Sequence, residues 1–210
     1  MNSFGVSGIA ISDRSIGVEA GRYIGTSYDI EPDASSASYP CAAAAIVGGS
    51  VTVIGLLQDA LQGDARFVEV LMTMGCAVVH EDTRTTVVGA DELIGVEVDM
   101  GGVSDLVPTL AAVAIFASTP TRITGVGFIR QKESDRLGDL ADELRKVGSE
   151  IVVEEDGLLI HPLQQGRPAL LETHHDHRLA MAFSLLSLAI PGVTLSEPGV
   201  VSKSWPSFFA

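Results

Sequence analysis

The chain has 210 residues, 46% of them hydrophobic and 19% charged. At ~150 residues per domain that is one large domain, or one domain and a fragment. A chain of this length buries roughly 70% of its extended surface, and its apolar content excludes disorder. Thirteen lysines and arginines against 27 acidic residues give a formal charge of −14, which argues against a nucleic-acid partner that needs a basic face. Residues 106–117 and 179–191, the longest apolar stretches, fall short of the ~20 residues that span a bilayer, so no membrane segment is expected. The start lacks the basic and apolar regions of a secretory signal, and a cytoplasmic location is the default expectation.

In chain order, residues 3–29 read as closing strands of an earlier copy of the unit described below. From Asp33 a run of small and apolar residues to Ile46 has the pattern of a helix buried on all sides with a carboxylate at its N-cap. Residues 51–55 are a β-branched strand, and residues 65–74 an amphipathic helix with a stripe of Phe67, Val70, Leu71 and Met74 capped by Gly75. Strands follow at 77–80 and 85–88, joined by a polar turn at Asp82. A second buried helix opens at Asp105, a strand covers 121–125, and residues 134–147 form an amphipathic helix with Leu137, Leu140, Ala141, Leu144 and Val147 on one side and Gly148 as cap. Strands at 150–153 and 157–160 turn at Asp156, a third buried helix opens at Asp176, and a strand covers 193–195. Cys41 and Cys76 share no ligand spacing and read as buried thiols.

This order is a repeat of helix, strand, helix, strand, strand, with Asp33, Asp105 and Asp176 at offsets of 72 and 71 residues. If the copies pack about a common axis, their helix N-termini face one point, and unpaired N–H groups there favour anions despite the overall charge. The plainer reading is that the three aspartates are caps, each worth ~1 kcal/mol.

The densest charge cluster, Arg130, Lys132, Glu133, Asp135 and Arg136, lies at the strand-to-helix junction of the second unit. Cations at a helix start oppose the macrodipole, so three bases there point to an anionic ligand, against the alternative of a salt-bridged surface turn.

Together with Ser104-Asp105, Asp176-His177-Arg178 and Ser202-Lys203-Ser204-Trp205-Pro206, this cluster resembles the enolpyruvyl transferases, and among them the 5-enolpyruvylshikimate-3-phosphate synthases. Glu31-Pro-Asp-Ala-Ser-Ser-Ala-Ser-Tyr39, Met74-Gly75, Glu143-Leu-Arg-Lys-Val-Gly148 and the continuation to Leu179-Ala-Met181 carry the resemblance further. It runs over essentially the whole chain but covers only the C-terminal half of such an enzyme.

The resemblance implies an α/β fold of three pseudo-repeats, with buried helices and outer mixed sheets. Residues 1–29 would be a remnant of the companion N-terminal domain and residues 30–210 the C-terminal domain. It implies transfer of the enolpyruvyl group of phosphoenolpyruvate to the 5-hydroxyl of shikimate 3-phosphate, releasing phosphate, with no metal or cofactor. Asp105 matches the acid that holds the attacking hydroxyl, and Glu133 the group that exchanges a proton with the methylene carbon. Arg136, Arg178 and Lys203 match the clamp on phosphoenolpyruvate, and Lys132 a shikimate-phosphate contact. His177 matches a residue near the transferring phosphate, or else one that only orients Arg178.

The chain departs from the family pattern at Phe128, where some members carry an amide that touches the shikimate phosphate. It also has histidines before Asp176, so that the run from His174 to His177 has the composition of a metal patch. The family's serine-rich phosphate loop and its further cationic ligands have no counterpart here, and one strand position of the third unit is expected to be unfilled. The expected partners are therefore the two anions and the missing half in trans or a second copy of the chain. Two other readings stay open: a non-catalytic anion-binding or assembly module, and the sister enzyme that acts on a UDP-sugar.

Overall fold

A computed structural model describes all 210 residues, which part between Glu31 and Pro32 into two compact units. In the first, Phe4 meets Tyr23 edge-on at 6.3 Å and Tyr28 at 5.7 Å. It also holds an antiparallel hairpin of β1 (Ile9–Ser12) and β2 (Ser15–Val18), and none of its residues is buried.

In the second unit α1 (Ala34–Val47) leads to β3 (Ser50–Ile54), a short α2 (Phe67–Thr73), and the strands β4 (Ala77–Glu81) and β5 (Arg84–Val88). These strands form an antiparallel sheet in the order β3-β5-β4. The second copy adds β6 (Glu97–Asp99), α3 (Val107–Ala114), β7 (Thr121–Thr124), α4 (Gly138–Lys146), β8 (Ile151–Glu154) and β9 (Gly157–Ile160). Its sheet runs β6-β7-β9-β8, with β6 parallel to β7 and the other pairs antiparallel. The third copy is β10 (Leu170–Leu171), α5 (His177–Leu186) and β11 (Thr194–Leu195), in which two residues of each strand pair in parallel. No helix is long and apolar enough to cross a membrane.

Helices α1, α3 and α5 pack on one another at the centre, and every residue of α3 is buried. Alternate residues of β3 and β4 face solvent, which places their sheet outside. The stripe Leu137, Leu140, Ala141, Leu144 and Val147 is fully buried, and burying each large aliphatic side chain contributes roughly 1.5–3 kcal/mol. Gly75 and Gly148 adopt φ of +108° and +103°, where an L side chain is strained. Both cysteines are free and buried, and burial pushes the Cys41 thiol up to about 12.

Two helix starts differ from the sequence reading. Asp105 does not cap α3, because it lies in a 3-10 turn over Gly101–Leu106 and Pro108 in the first turn fixes the helix start at Val107. The helix expected from residue 134 begins at Gly138, because the Asp135 carboxylate accepts the N–H groups of Leu137 and Gly138 and so acts as the cap itself. Both shifts leave charged side chains in irregular backbone, free to point across the molecule. Strands β6 and β10 have no counterpart in the sequence reading, since two or three residues carry too little alternation to read.

Candidate functional site

Arg136 is the largest fully buried side chain of the protein. Non-helical backbone between the 3-10 turn Gly127–Gln131 and α4 turns it inward, where three carboxylates take its guanidinium. Its Nε donates to Asp176 at 2.6 Å, Nη1 to Asp105 at 2.9 Å and Nη2 to Glu133 at 2.6 Å, with a second, longer Nη2 bond of 3.3 Å to Asp176. Burial works against the charge, but Asp176, then Glu133 and Asp105, hold the Arg136 pKa above its ordinary value. Ion pairs in an interior stabilise little over well-packed apolar groups. Fold stability alone therefore does not account for an arginine at this point.

The surrounding groups extend the network to the surface. Asp105 also accepts Lys132 Nζ at 2.8 Å and Arg178 Nη2 at 2.9 Å, while Glu133 accepts Lys203 Nζ at 2.7 Å. Burial raises the Asp105 pKa, but the Lys132 hydrogen bond and the charges of Arg178, Lys132 and Arg136 outweigh it, and the net shift is downward. The Lys203 hydrogen bond leads in bringing Glu133 down to about 2, with Arg136 adding to it. Lys132 lies 5.8 Å from the centre of the Phe128 ring, a cation–π contact. Four cations against three carboxylates leave a local excess of one positive charge in a chain of formal charge −14.

Helix α5 points its start into this network. Its cap Asp176 is fully buried, accepts the Arg178 N–H at 2.8 Å and holds Arg136 with both oxygens. His177, the first helical residue, is buried beside Asp176, Arg178, Lys203 and Glu133, and its Nδ1 has no hydrogen-bond partner. Burial leads in lowering its pKa, so the imidazole is neutral at pH 7.

The structure thus brings together Asp105, Lys132, Glu133, Arg136, His177, Arg178 and Lys203. It separates the run before α5, because left-handed backbone at His174 (φ +50°) and His175 (φ +55°) breaks the alternation. His174 reaches Glu143, exposed His175 meets Glu197, and Asp176 and His177 turn inward, so the four do not form a single metal patch. Asp33 stays out of the network, its oxygens accepting the Ser35 and Ser36 N–H groups and the Ser36 hydroxyl. Of the three repeat aspartates, Asp105 and Asp176 therefore meet at Arg136 and Asp33 does not.

Sequence reasoning missed Asp176 as the deepest anchor, reading it only as a cap, although its spacing from Asp105 marked the position. It also missed Tyr39, whose buried hydroxyl makes no hydrogen bond and is pushed up to about 12, chiefly by burial, with Arg178 drawing it back. Tyr39 ends the Glu31–Tyr39 motif, but its place between small residues and a proline does not show where its hydroxyl points.

An arrangement of exposed Lys203, part-exposed Lys132 and Arg178, and a helix start behind them suits phosphate or carboxylate groups. An incoming anion would compete with Asp105 and Glu133 for their cations and free both carboxylates.

The family model described as EPSP synthase (3-phosphoshikimate 1-carboxyvinyltransferase) matches residues 1–210. Among curated relatives, the 3-phosphoshikimate 1-carboxyvinyltransferase of Nostoc punctiforme is 45% identical over the whole chain and 49% of its own length. That of Methanoculleus marisnigri is 47% identical over 91% of this chain and 46% of its own. An EPSP synthase structure from Acinetobacter baumannii superposes with a TM-score of 0.85 at 27% identity, covering 99% of this chain and 51% of that one. The enolpyruvyl transferase NikO from Streptomyces tendae, at TM-score 0.74 and 22% identity over 97% of this chain and 48% of its own, shares the fold. The chain spans about half the length of the curated relatives it matches.

Proposed function

This chain belongs to the EPSP synthase family, and on that premise we propose that it carries half of an active site transferring the enolpyruvyl group of phosphoenolpyruvate to the 5-hydroxyl of shikimate 3-phosphate. The observation that carries the reading is the convergence of Lys132, Arg136, Arg178 and Lys203 with Asp105 and Glu133 at the start of α5. The companion half supplies the remaining anion ligands, and residues 1–29 belong to that domain. Exposed Ile11, Ile16 and Val18 on the hairpin support this by offering it apolar surface. The reaction runs in the cytoplasm.

In this mechanism Lys203 and Arg178 bind the carboxylate and phosphate of phosphoenolpyruvate, while Arg136 fixes the geometry from beneath. Lys132 takes the shikimate phosphate. Asp105, released from Lys132, holds the 5-hydroxyl and accepts its proton as the oxygen bonds to C2 of phosphoenolpyruvate. A proton added to C3 completes the tetrahedral intermediate. Loss of the same count of protons from C3, with departure of phosphate, restores the enol ether.

Glu133 exchanges the proton at C3. At a pKa of about 2 it is a poor proton donor near neutrality. Binding must therefore draw Lys203 away from Glu133 first, which links substrate capture to activation of the acid. His177 stays neutral beside Arg178.

The test is phosphate release from the two substrates by this chain alone and then mixed with a separately expressed N-terminal half of a relative. Turnover only in the mixture, abolished by Glu133→Gln, is expected. Turnover by the chain alone would overturn the division of ligands. Silence in both would favour a non-catalytic anion-binding module.

A further inference from the structure

Outside the Arg136 network, a second cluster forms where α4 meets the segment between β10 and α5. Glu143 projects from the middle of α4 and its side chain is 2% exposed. Glu172 and His174, two apart in the facing segment, close on it. The His174 Nε2 atom lies 3.0 Å from Glu143 Oε1, and one ligand atom from each of the three residues falls within 4.8 Å of the others. We propose that Glu143, Glu172 and His174 form a binding site for a divalent transition-metal ion of the zinc type.

Several features beyond the proximity of two acids support a metal. The donor set is mixed, one imidazole nitrogen and two carboxylates, which suits zinc and its neighbours better than calcium or magnesium. Two ligands at about 2.0–2.1 Å from a tetrahedral ion stand roughly 3.3 Å apart, close to the separation of His174 and Glu143.

The far side of the ring fits as well. His174 Nδ1 faces Asp139 Oδ1 at 3.7 Å, so a short closing movement gives the carboxylate–histidine–metal arrangement that fixes the tautomer and leaves Nε2 to the ion. Glu143 is itself held from behind by the Glu172 N–H at 2.9 Å. A cavity of about 370 Å³ lined by Glu172, His174, His175, Ser196 and Glu197 opens beside two of the three ligands and leaves room for a water as fourth ligand.

Lys146 Nζ, 2.7 Å from Glu143, occupies part of the cation position in this structure. Its side chain is 40% exposed, so it can swing into water when the ion enters. A dipositive ion then replaces a monopositive one among two carboxylates, which is the more complete neutralisation. The site lies two residues before Asp176 and would fasten to α4 the segment that leads to α5.

The experiment is calorimetric titration of the full chain with Zn²⁺ in a non-chelating buffer at pH 7.5, with Co²⁺ absorption as a readout of geometry. One equivalent is expected, with tetrahedral cobalt bands. His174→Ala should weaken binding at least tenfold and abolish those bands, and Asp139→Asn should weaken it about tenfold to a hundredfold. Lys146→Gln should tighten it, and His175→Ala should leave it unchanged. Circular dichroism checks that each variant is folded, and these side chains are all exposed enough to be changed without emptying the core. Absence of saturable binding, or His174→Ala binding as tightly as the native chain, would overturn the site. Loss on His175→Ala alone would assign the metal to the exposed histidine and would equally overturn it.

Discussion

The first and second copies of the repeat build the same junction before their amphipathic helix, but use it in opposite ways. In the first copy Gln62 accepts the Ala34 N–H at 3.0 Å and donates to the Pro32 carbonyl at 2.7 Å, while Asp64 accepts the Ser35 hydroxyl. That junction reaches back to the start of its own buried helix and closes it with uncharged donors. The second junction carries Lys132, Glu133 and Arg136, and reaches both its own Asp105 and forward to Asp176 of the third copy. One architecture thus gives a closed cap in one copy and an anion site in the next. The difference lies in where cations were placed, not in the backbone plan.

Asp33 and Asp176 provide the sharpest break of this comparison, since both cap a central helix. Asp176→Ala leaves Arg136 buried without its main partner and should cost about 3–5 kcal/mol, whereas Asp33→Ala loses a cap worth about 1 kcal/mol. Urea denaturation of the two variants measures the gap. Equal costs would mean that the buried network is no more than a second cap.

Acid titration separates the junctions next. The Glu133 carboxyl lies at about 2 in the folded chain against an ordinary 4.5, so the unfolded chain binds more protons between those values. Its contribution to stability is full above about pH 4.5 and is lost as pH falls toward 2. Glu133→Gln should flatten the stability curve over that window and leave its shape above pH 5 unchanged. Because a third of the side chain meets solvent, the flattening is expected to be smaller than the loss at Asp176. A curve of native steepness would remove Lys203 and Arg136 as the cause.

Much of this architecture is legible in the amino-acid sequence, because burial leaves a periodic trace. The stripe from Leu137 to Val147 and the apolar helices at spacings of 72 and 71 residues follow from the need to keep apolar surface from water. The cation cluster is legible for the converse reason, that three bases at a helix start conflict with its dipole. The direction in which those side chains point is not. Asp105 leaves its helix because Pro108 moves the start, and Arg136 turns inward because Asp135 caps from within the junction. Both depend on a shift of two to four residues at an element boundary, where local propensity decides least. Parallel pairing of β6 with β7 and of β10 with β11 is likewise hidden, since it joins segments far apart with too few residues to show a period.

The smallest expected effect asks whether the first copy touches the site at all. Tyr39 belongs to α1, and its ring packs edge-on with Phe208 at 5.7 Å centroid separation while its buried hydroxyl makes no hydrogen bond. Removing an unsatisfied buried hydroxyl relieves a desolvation cost and keeps the ring contact, so Tyr39→Phe should leave stability unchanged or raise it by about 1 kcal/mol. Thermal and urea unfolding of the variant measure this directly. A loss above about 1 kcal/mol, absent in an Arg178→Ala background, would show that the hydroxyl is bound to Arg178, whose charge draws its pKa down. In that case α1 would help to orient the anion ligand, and the first copy would serve the site as well as the fold.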